Sequence, residues 1–295
     1  MKESERKLIV KKSNELIDAG FELTLNESRI ILYCVSQILP KQPIKADEMY
    51  FVHAKAFSEL FHLDLAGVYK TLKKAMLKLG ERWATVTDKN GDPKEIRWII
   101  TRQYFENQGV LGLQFHPDML PYISELKKHF TQYDIKFISR MSSAYGIPIY
   151  ELLTKRRDLK KQSFSIDALK QKLKLEGRYP AWRDFKRYVL EPAIRDLNNE
   201  YGEFKASYET IKEGRAITAV TFKYEPRRKS LPLWDREGNP AVEKPKKSWE
   251  EYGYRSDSEY REALELAKRY DFDVNNVSEF LKARVQAQRD RKHSR

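Results

Sequence analysis

Cysteine is almost absent: Cys34 is the single one in 295 residues. No intrachain disulfide and no multi-cysteine zinc site can be built from it. It stands between Tyr33 and Val35 in an apolar stretch, which suits a small buried hydrophobe better than a nucleophile. Long apolar runs are lacking too. A membrane-crossing helix needs about 20 apolar residues in a row, and the best run, Ile30 to Leu39, is short and broken by Ser36 and Gln37. The first residues, Met1 to Arg6, lack the apolar centre of a secretion signal. A cytoplasmic protein with no membrane partner is expected.

Catalytic patterns are missing as well. There is no Gly-x-x-x-x-Gly-Lys-Ser/Thr loop to hold a nucleotide's phosphates. The five histidines, His53, His62, His116, His129 and His293, are scattered, and none forms a metal-binding pair. A nicking enzyme of the rolling-circle kind needs a His-x-His pair and a catalytic tyrosine. No enzyme activity, cofactor or metal is expected. Asp47, Glu48 and Asp118 read as surface or capping groups.

What the chain does have is positive charge. Lys and Arg number 56 against 43 Asp and Glu, a formal charge of +13. The charged fraction of 34% exceeds the usual ~25%. Apolar residues at 41% and aromatics at 12% suffice for real cores, and the length allows about two domains. Such an excess predicts a polyanionic partner, most often nucleic acid.

Apolar spacing is helical from Asn14 to Leu39, with Asn26 as a candidate cap and Pro40 and Pro43 as stops. A short strand over Met49–His53 and a helix over Lys55–Leu63 follow. From Gly67 a second helix puts Val68, Leu72, Ala75, Met76, Leu79 and Trp83 on one face, and Lys70, Lys73, Lys74 and Lys78 on the other. A strand over Arg82–Thr87, an Asn90-Gly91 turn and a strand over Glu95–Tyr104 read as a hairpin. Helix, turn, basic helix and hairpin make a helix-turn-helix with a wing. Gly109–Phe115 reads as a third strand, followed by a helix from Met119 to His129.

The same order then recurs, about 110 residues on. Ser142–Leu153 is helical. A basic loop holds Lys155, Arg156, Arg157, Lys160 and Lys161. Ser165 caps a helix over Ile166–Leu175, and Ala181–Asn198 forms an amphipathic helix that Pro192 should kink. Arg178, Arg183, Lys186 and Arg187 make its start basic, while Phe185, Val189 and Trp182 suit a core. Glu203–Tyr224 reads as a hairpin with Lys212 and Arg215 at its tip. The fold class expected is α+β, two tandem winged helices over 1–130 and 131–228. Residues 229–295 make a proline-bearing linker, two helices (Ser256–Tyr270 and Val277–Ala287) and a basic tail.

A winged helix lays its second helix in the major groove while the wing reaches backbone or a neighbouring groove. Lysine binds phosphate as a point charge, and arginine can fork onto guanine. Lys70, Lys73 and Lys74 are therefore expected on the DNA backbone. Arg183, Lys186 and Arg187 are expected on bases or backbone, with Arg178, Lys212 and Arg215 beside them. A lysine face alone is usually just solvated; two such helices, each followed by a glycine-tipped hairpin, argue for DNA.

Several segments resemble the iteron-binding replication initiators of theta-replicating bacterial plasmids. They are Lys12-Ser13-Asn14-Glu15-Leu16 with Leu23-Thr24-Leu25-Asn26-Glu27, and Phe115-His116-Pro117-Asp118-Met119-Leu120-Pro121-Tyr122-Ile123. Phe130-Thr131-Gln132-Tyr133, Tyr145 with Tyr150-Glu151-Leu152-Leu153, and Trp182-Arg183-Asp184-Phe185-Lys186-Arg187 complete the set. Where Pro148 stands, that family more often has a basic residue, so no DNA contact is carried over there. The resemblance implies monomers bound to directly repeated origin sites, and dimers formed largely through the first domain that repress the initiator's own gene. It also implies origin opening and recruitment of the host initiator and replicative helicase machinery. A winged-helix repressor without initiation activity and a nuclease are the rival readings.

Overall fold

The computed structural model describes residues 8–38, 44–45, 47–87, 90–124, 126, 129–227, 262–263 and 266. The chain divides into two compact units, 1–240 and 241–295. In the second, Glu262, Ala263 and Leu266 are described and all three are helical, within the expected Ser256–Tyr270 helix. The linker, the helix over Val277–Ala287, the basic tail, and Pro40 and Pro43 lie outside the described residues.

The N-terminal stretch is not one helix. A strand, β1 (Ile9–Ser13), leads into α1 (Asn14–Ala19), whose first turn Ser13 caps by accepting the Leu16 N–H at 3.1 Å. Gly20, at φ +60, then turns the chain in a conformation that side chains disfavour. A new helix, α2 (Leu25–Val35), starts one residue before the expected cap. Thr24, not Asn26, is that cap. Its hydroxyl accepts from the Glu27 N–H, and the Glu27 carboxylate accepts from the Thr24 N–H at 2.9 Å. Two orphan donors of the helix end are satisfied by this reciprocal pair.

Strand β2 (Tyr50–His53), α3 (Ala54–Phe61) and α4 (Val68–Leu79) come next. The apolar positions of α4 are buried as their spacing requires, except Trp83. Trp83 lies beyond the helix end, opens β3 (Trp83–Thr87) and is 47% exposed under the Arg97 guanidinium. The expected strand over Glu95–Tyr104 is two strands. β4 (Pro93–Arg97) closes a hairpin with β3, while β5 (Ile99–Phe105) joins another sheet. The break falls where Ile96, Trp98 and Ile99 all point inward, which a period of two cannot do. With β6 (Val110–Phe115) the second sheet has the order β2–β6–β5, antiparallel throughout.

The helix expected to His129 ends at Ile123, after the short α5 (Leu120–Ile123). Residues Phe130–Asp134 form β7 instead, paired antiparallel with β1 from Ile9↔Asp134 to Ser13↔Phe130. Hydrogen bonding to a segment over a hundred residues away overrides whatever the local spacing favours.

The second copy runs α6 (Gly146–Thr154), β8 (Lys161–Ser165) and α7 (Ile166–Lys172), the last capped by the Ser165 hydroxyl as expected. The second basic helix follows as α8 (Trp182–Phe185), one π turn (Lys186–Leu190) and α9 (Glu191–Leu197). The interruption near Pro192 takes the form of that π turn. A long hairpin, β9 (Phe204–Glu213) and β10 (Ala216–Pro226), completes a sheet of order β8–β10–β9. This repeats the order of the first sheet, so the chain carries two winged helices of one design. The β3–β4 hairpin is an addition to the first.

One continuous core runs through both copies, and buried charge is paired within it. Lys12 on β1 donates to both Glu151 oxygens on α6, at 3.0 and 2.8 Å, and the Tyr133 hydroxyl donates to the same carboxylate at 2.7 Å. Glu203 accepts from Tyr150 at 2.5 Å and from Arg157 at 3.0 Å. Asp196 accepts from the Ser142 and Ser143 N–H groups at 2.9 and 2.7 Å. Burial pushes the Glu203 carboxyl above its ordinary pKa against the pull of Arg157. Cys34 is fully buried, and burial raises its thiol pKa far from the reactive range.

Candidate nucleic-acid interface

In the first winged helix the lysines stand on the outer face of α4. Lys70 and Lys74 are exposed and have no acidic partner among the described residues. Lys73 differs. Its ammonium pairs with Glu106, in the turn between β5 and β6, and lies 5.4 Å from the Tyr104 ring centre. The Glu106 hydrogen bond raises the Lys73 pKa and lowers that of Glu106. Arg102 on β5 donates to the Leu77 carbonyl at 2.6 Å, so the last turn of α4 is tied to the sheet. Neither Glu106 nor Arg102 was legible as part of this surface, because both approach α4 from across the fold.

In the second winged helix the Arg183 side chain is 87% exposed, beside Asp184. Lys186 reaches Glu191 at 3.5 Å, five residues on, a spacing that a π turn brings to one side. The Arg187 guanidinium lies 5.4 Å from the Tyr188 ring centre and has no acidic partner among the described residues. At the hairpin tip Lys212 and Arg215 are exposed around Gly214, whose φ of +61 closes the turn. Arg183, Lys186 and Arg187 thus lie on one helix of this domain, and Lys212 and Arg215 at the tip of the hairpin that follows it.

Other basic residues have junction roles. Arg178 pairs with Glu22 of the first copy at 3.5 Å and covers the Tyr179 ring. In the basic loop, Lys155 binds Asp18 at 2.6 Å, and Arg157 binds Glu203 and the Gln132 carbonyl. Lys160 and Lys161 are exposed. Arg29, buried over the Phe61 ring, donates to the Met141 carbonyl at 2.8 Å; loss of water pushes its pKa down to about 10.

Among the described residues no cluster of three or more His, Cys, Asp or Glu could hold a metal ion. No helix among them is long and apolar enough to cross a membrane.

Comparison with known proteins gives the same architecture. The family model described as "Initiator Replication protein, WH1" matches residues 9–154, and "Initiator Rep protein, WH2" matches residues 165–224. A "Replication initiation protein" of Escherichia coli is 28% identical over 226 residues, covering 74% of this chain and 70% of the relative. The "PI protein" of Escherichia coli is 27% identical over 262 residues, covering 76% and 85%. A crystal structure of the Pi initiator protein in complex with iteron DNA superposes with a TM-score of 0.65 at 25% identity, over 75% of this chain and 98% of that one. The chain belongs to the initiator replication protein family and carries its WH1 and WH2 domains, the WH1 match running on through α6.

Proposed function

We propose that the chain starts replication of a plasmid by binding directly repeated duplex sites, iterons, at the origin. The observation that carries this is the second reading helix. It presents Arg183 and Arg187 outward, in a winged helix whose hairpin tip carries Lys212 and Arg215, in a chain similar to an initiator solved on iteron DNA. Two winged helices in tandem suit two successive major-groove entries on one face of the duplex, a site of roughly 20 base pairs. Lys70, Lys73 and Lys74 hold the backbone, while Arg183, Lys186, Arg187, Lys212 and Arg215 engage bases or phosphates, with Arg178 at the junction between the domains. No step of bond chemistry is needed, since distortion of AT-rich DNA and delivery of host proteins suffice.

The finer assembly belongs to the same proposal. The first domain, 1–130, dimerises and grips backbone; the second, 131–228, reads the repeat. Monomers bind iterons, dimers repress the chain's own gene, and the host initiator and replicative helicase machinery are recruited in the cytoplasm. Footprinting on the DNA that flanks the gene tests the reading. Protection of several direct repeats beside an AT-rich stretch that becomes permanganate-sensitive supports it. Protection of one inverted site with no strand opening marks a repressor instead.

A further inference from the structure

The second reading helix departs from regular geometry at one place. Between α8 and α9 the Glu191 N–H donates to the Lys186 carbonyl, five residues back instead of four. Such π turns are rare and recur at working surfaces. Two features of the sequence hold this one in place. Pro192 has no N–H, and in a regular α-helix its ring would strike the carbonyl of Tyr188, four residues earlier; the wider turn takes that carbonyl away. The core asks for the same widening. Phe185, Val189, Ala193 and Leu197 are all buried, at intervals of four. In an α-helix each such step drifts by about 40°, so the stripe would rotate by about 120° over the span. A turn with more residues per revolution takes most of that back.

The outer face shows the consequence. Lys186, Arg187 and Tyr188 are three consecutive exposed residues, one turn after Arg183. Arg187 rests over the Tyr188 ring, and Tyr188 faces Tyr179 at 6.2 Å and 31°. Arg178 covers Tyr179, whose hydroxyl meets that of Tyr145 at 3.3 Å. Arg187 is therefore backed by a stack of planes that ends on the domain junction. Tyr188 remains half exposed, and its hydroxyl has no partner among the described residues. By contrast α4 is a regular α-helix that offers lysines and no such stack.

We propose that Pro192 is a positioning residue and Tyr188 a DNA-contacting one, and that the proline-held π turn presents Arg187 and Tyr188 as a rigid pair that reads one base step. Arg187 forks onto a guanine. The Tyr188 ring packs on the neighbouring base edge, where a thymine methyl is the apolar group the major groove offers. This rests on the reading of the second winged helix as the iteron reader.

The test uses the full chain and the footprinted repeat as a labelled duplex, with single-base variants and a random duplex as competitors. Pro192→Ala is expected to keep its thermal midpoint, its random-duplex affinity and its salt slope. Its preference for the repeat should fall about tenfold or more, as loss of a base-reading contact does. In an Arg187→Ala background the same change should cost little, because the proline acts through that arginine. Unchanged preference, equal loss on both duplexes, or full additivity with Arg187→Ala overturns the proposal. Should Pro192→Ala fail to fold, Tyr188→Ala decides: it must relax selection at the base beside the one that Arg187 reads, and unaltered selection there sinks the pairing. A wild-type chain with no preference for the repeats would overturn the iteron reading itself. A selective wild type with indifferent variants overturns only the role of the turn.

Discussion

Among individual residues, the sharpest contrast is between Arg187 and Lys73. Arg187 faces outward with no acidic partner among the described residues, which leaves its forked donors free for a base. Arg187→Ala should cost ~1–3 kcal/mol on a cognate repeat and relax specificity at one position. Equal loss on random duplex in a gel-shift titration would mark it as a phosphate contact instead. Lys73 is already held by the Glu106 carboxylate, which competes with any phosphate for the ammonium. Lys73→Ala should weaken binding to all sequences alike and lower the salt slope by about one. Glu106→Gln should do the opposite, steepening the slope and tightening binding to any duplex. That gain must vanish in the Lys73→Ala background. A gain that persists there would reflect the net charge of the domain and not release of the lysine. The lysine face was readable from a helical wheel; its tether was not, because Glu106 lies across the sheet.

At the level of elements, sequence was informative where one segment decides its own structure. The apolar stripe of α4, the Ser165 cap and the Gly214 hairpin tip are local signals, and each stands where its spacing put it. Errors arose where a distant partner or a second local signal won. Thr24 and Glu27 spell a capping box that outcompetes Asn26. Trp98, turned into the core, breaks one apparent strand into two. β7 exists because β1 pairs with it. That pairing brings Lys12 to Glu151, and both are buried. Lys12→Ala leaves a buried carboxylate with only the Tyr133 hydroxyl, and removal of one partner of such a pair costs about 3–5 kcal/mol. A denaturant titration should show that loss, and Lys12→Ala combined with Glu151→Leu should recover much of it. If the double variant is no more stable than the single one, the ion pair is not what joins these two elements.

Over the whole molecule, both winged helices were legible as architecture, while their joint was not. The repeat of element order is visible in spacing alone, but the junction is built from acids and bases scattered along the chain: Asp18 with Lys155 and Lys172, Glu22 with Arg178. In these pairs acids of the chain neutralise cations that would otherwise add to its positive surface. The joint should respond to acid. Burial works to raise the Asp18 carboxyl, and hydrogen bonds from Lys155 and Lys172 overcome it, so its pKa lies below the ordinary value. A carboxylate with a depressed folded pKa contributes stability that is complete above the unfolded pKa and is lost as pH falls through the folded one. Lowering the pH from neutral through the carboxylate range should therefore loosen the contact of α1 with α6 and α7. Asp18→Asn should be less stable than wild type at pH 7, and the two should converge as pH drops toward 3, since protonation removes the same charge. Thermal melts of both proteins across that range check this, with proteolysis near Gly20 reporting the junction itself. Parallel curves that never converge would mean that the Asp18 charge does not clamp the domains.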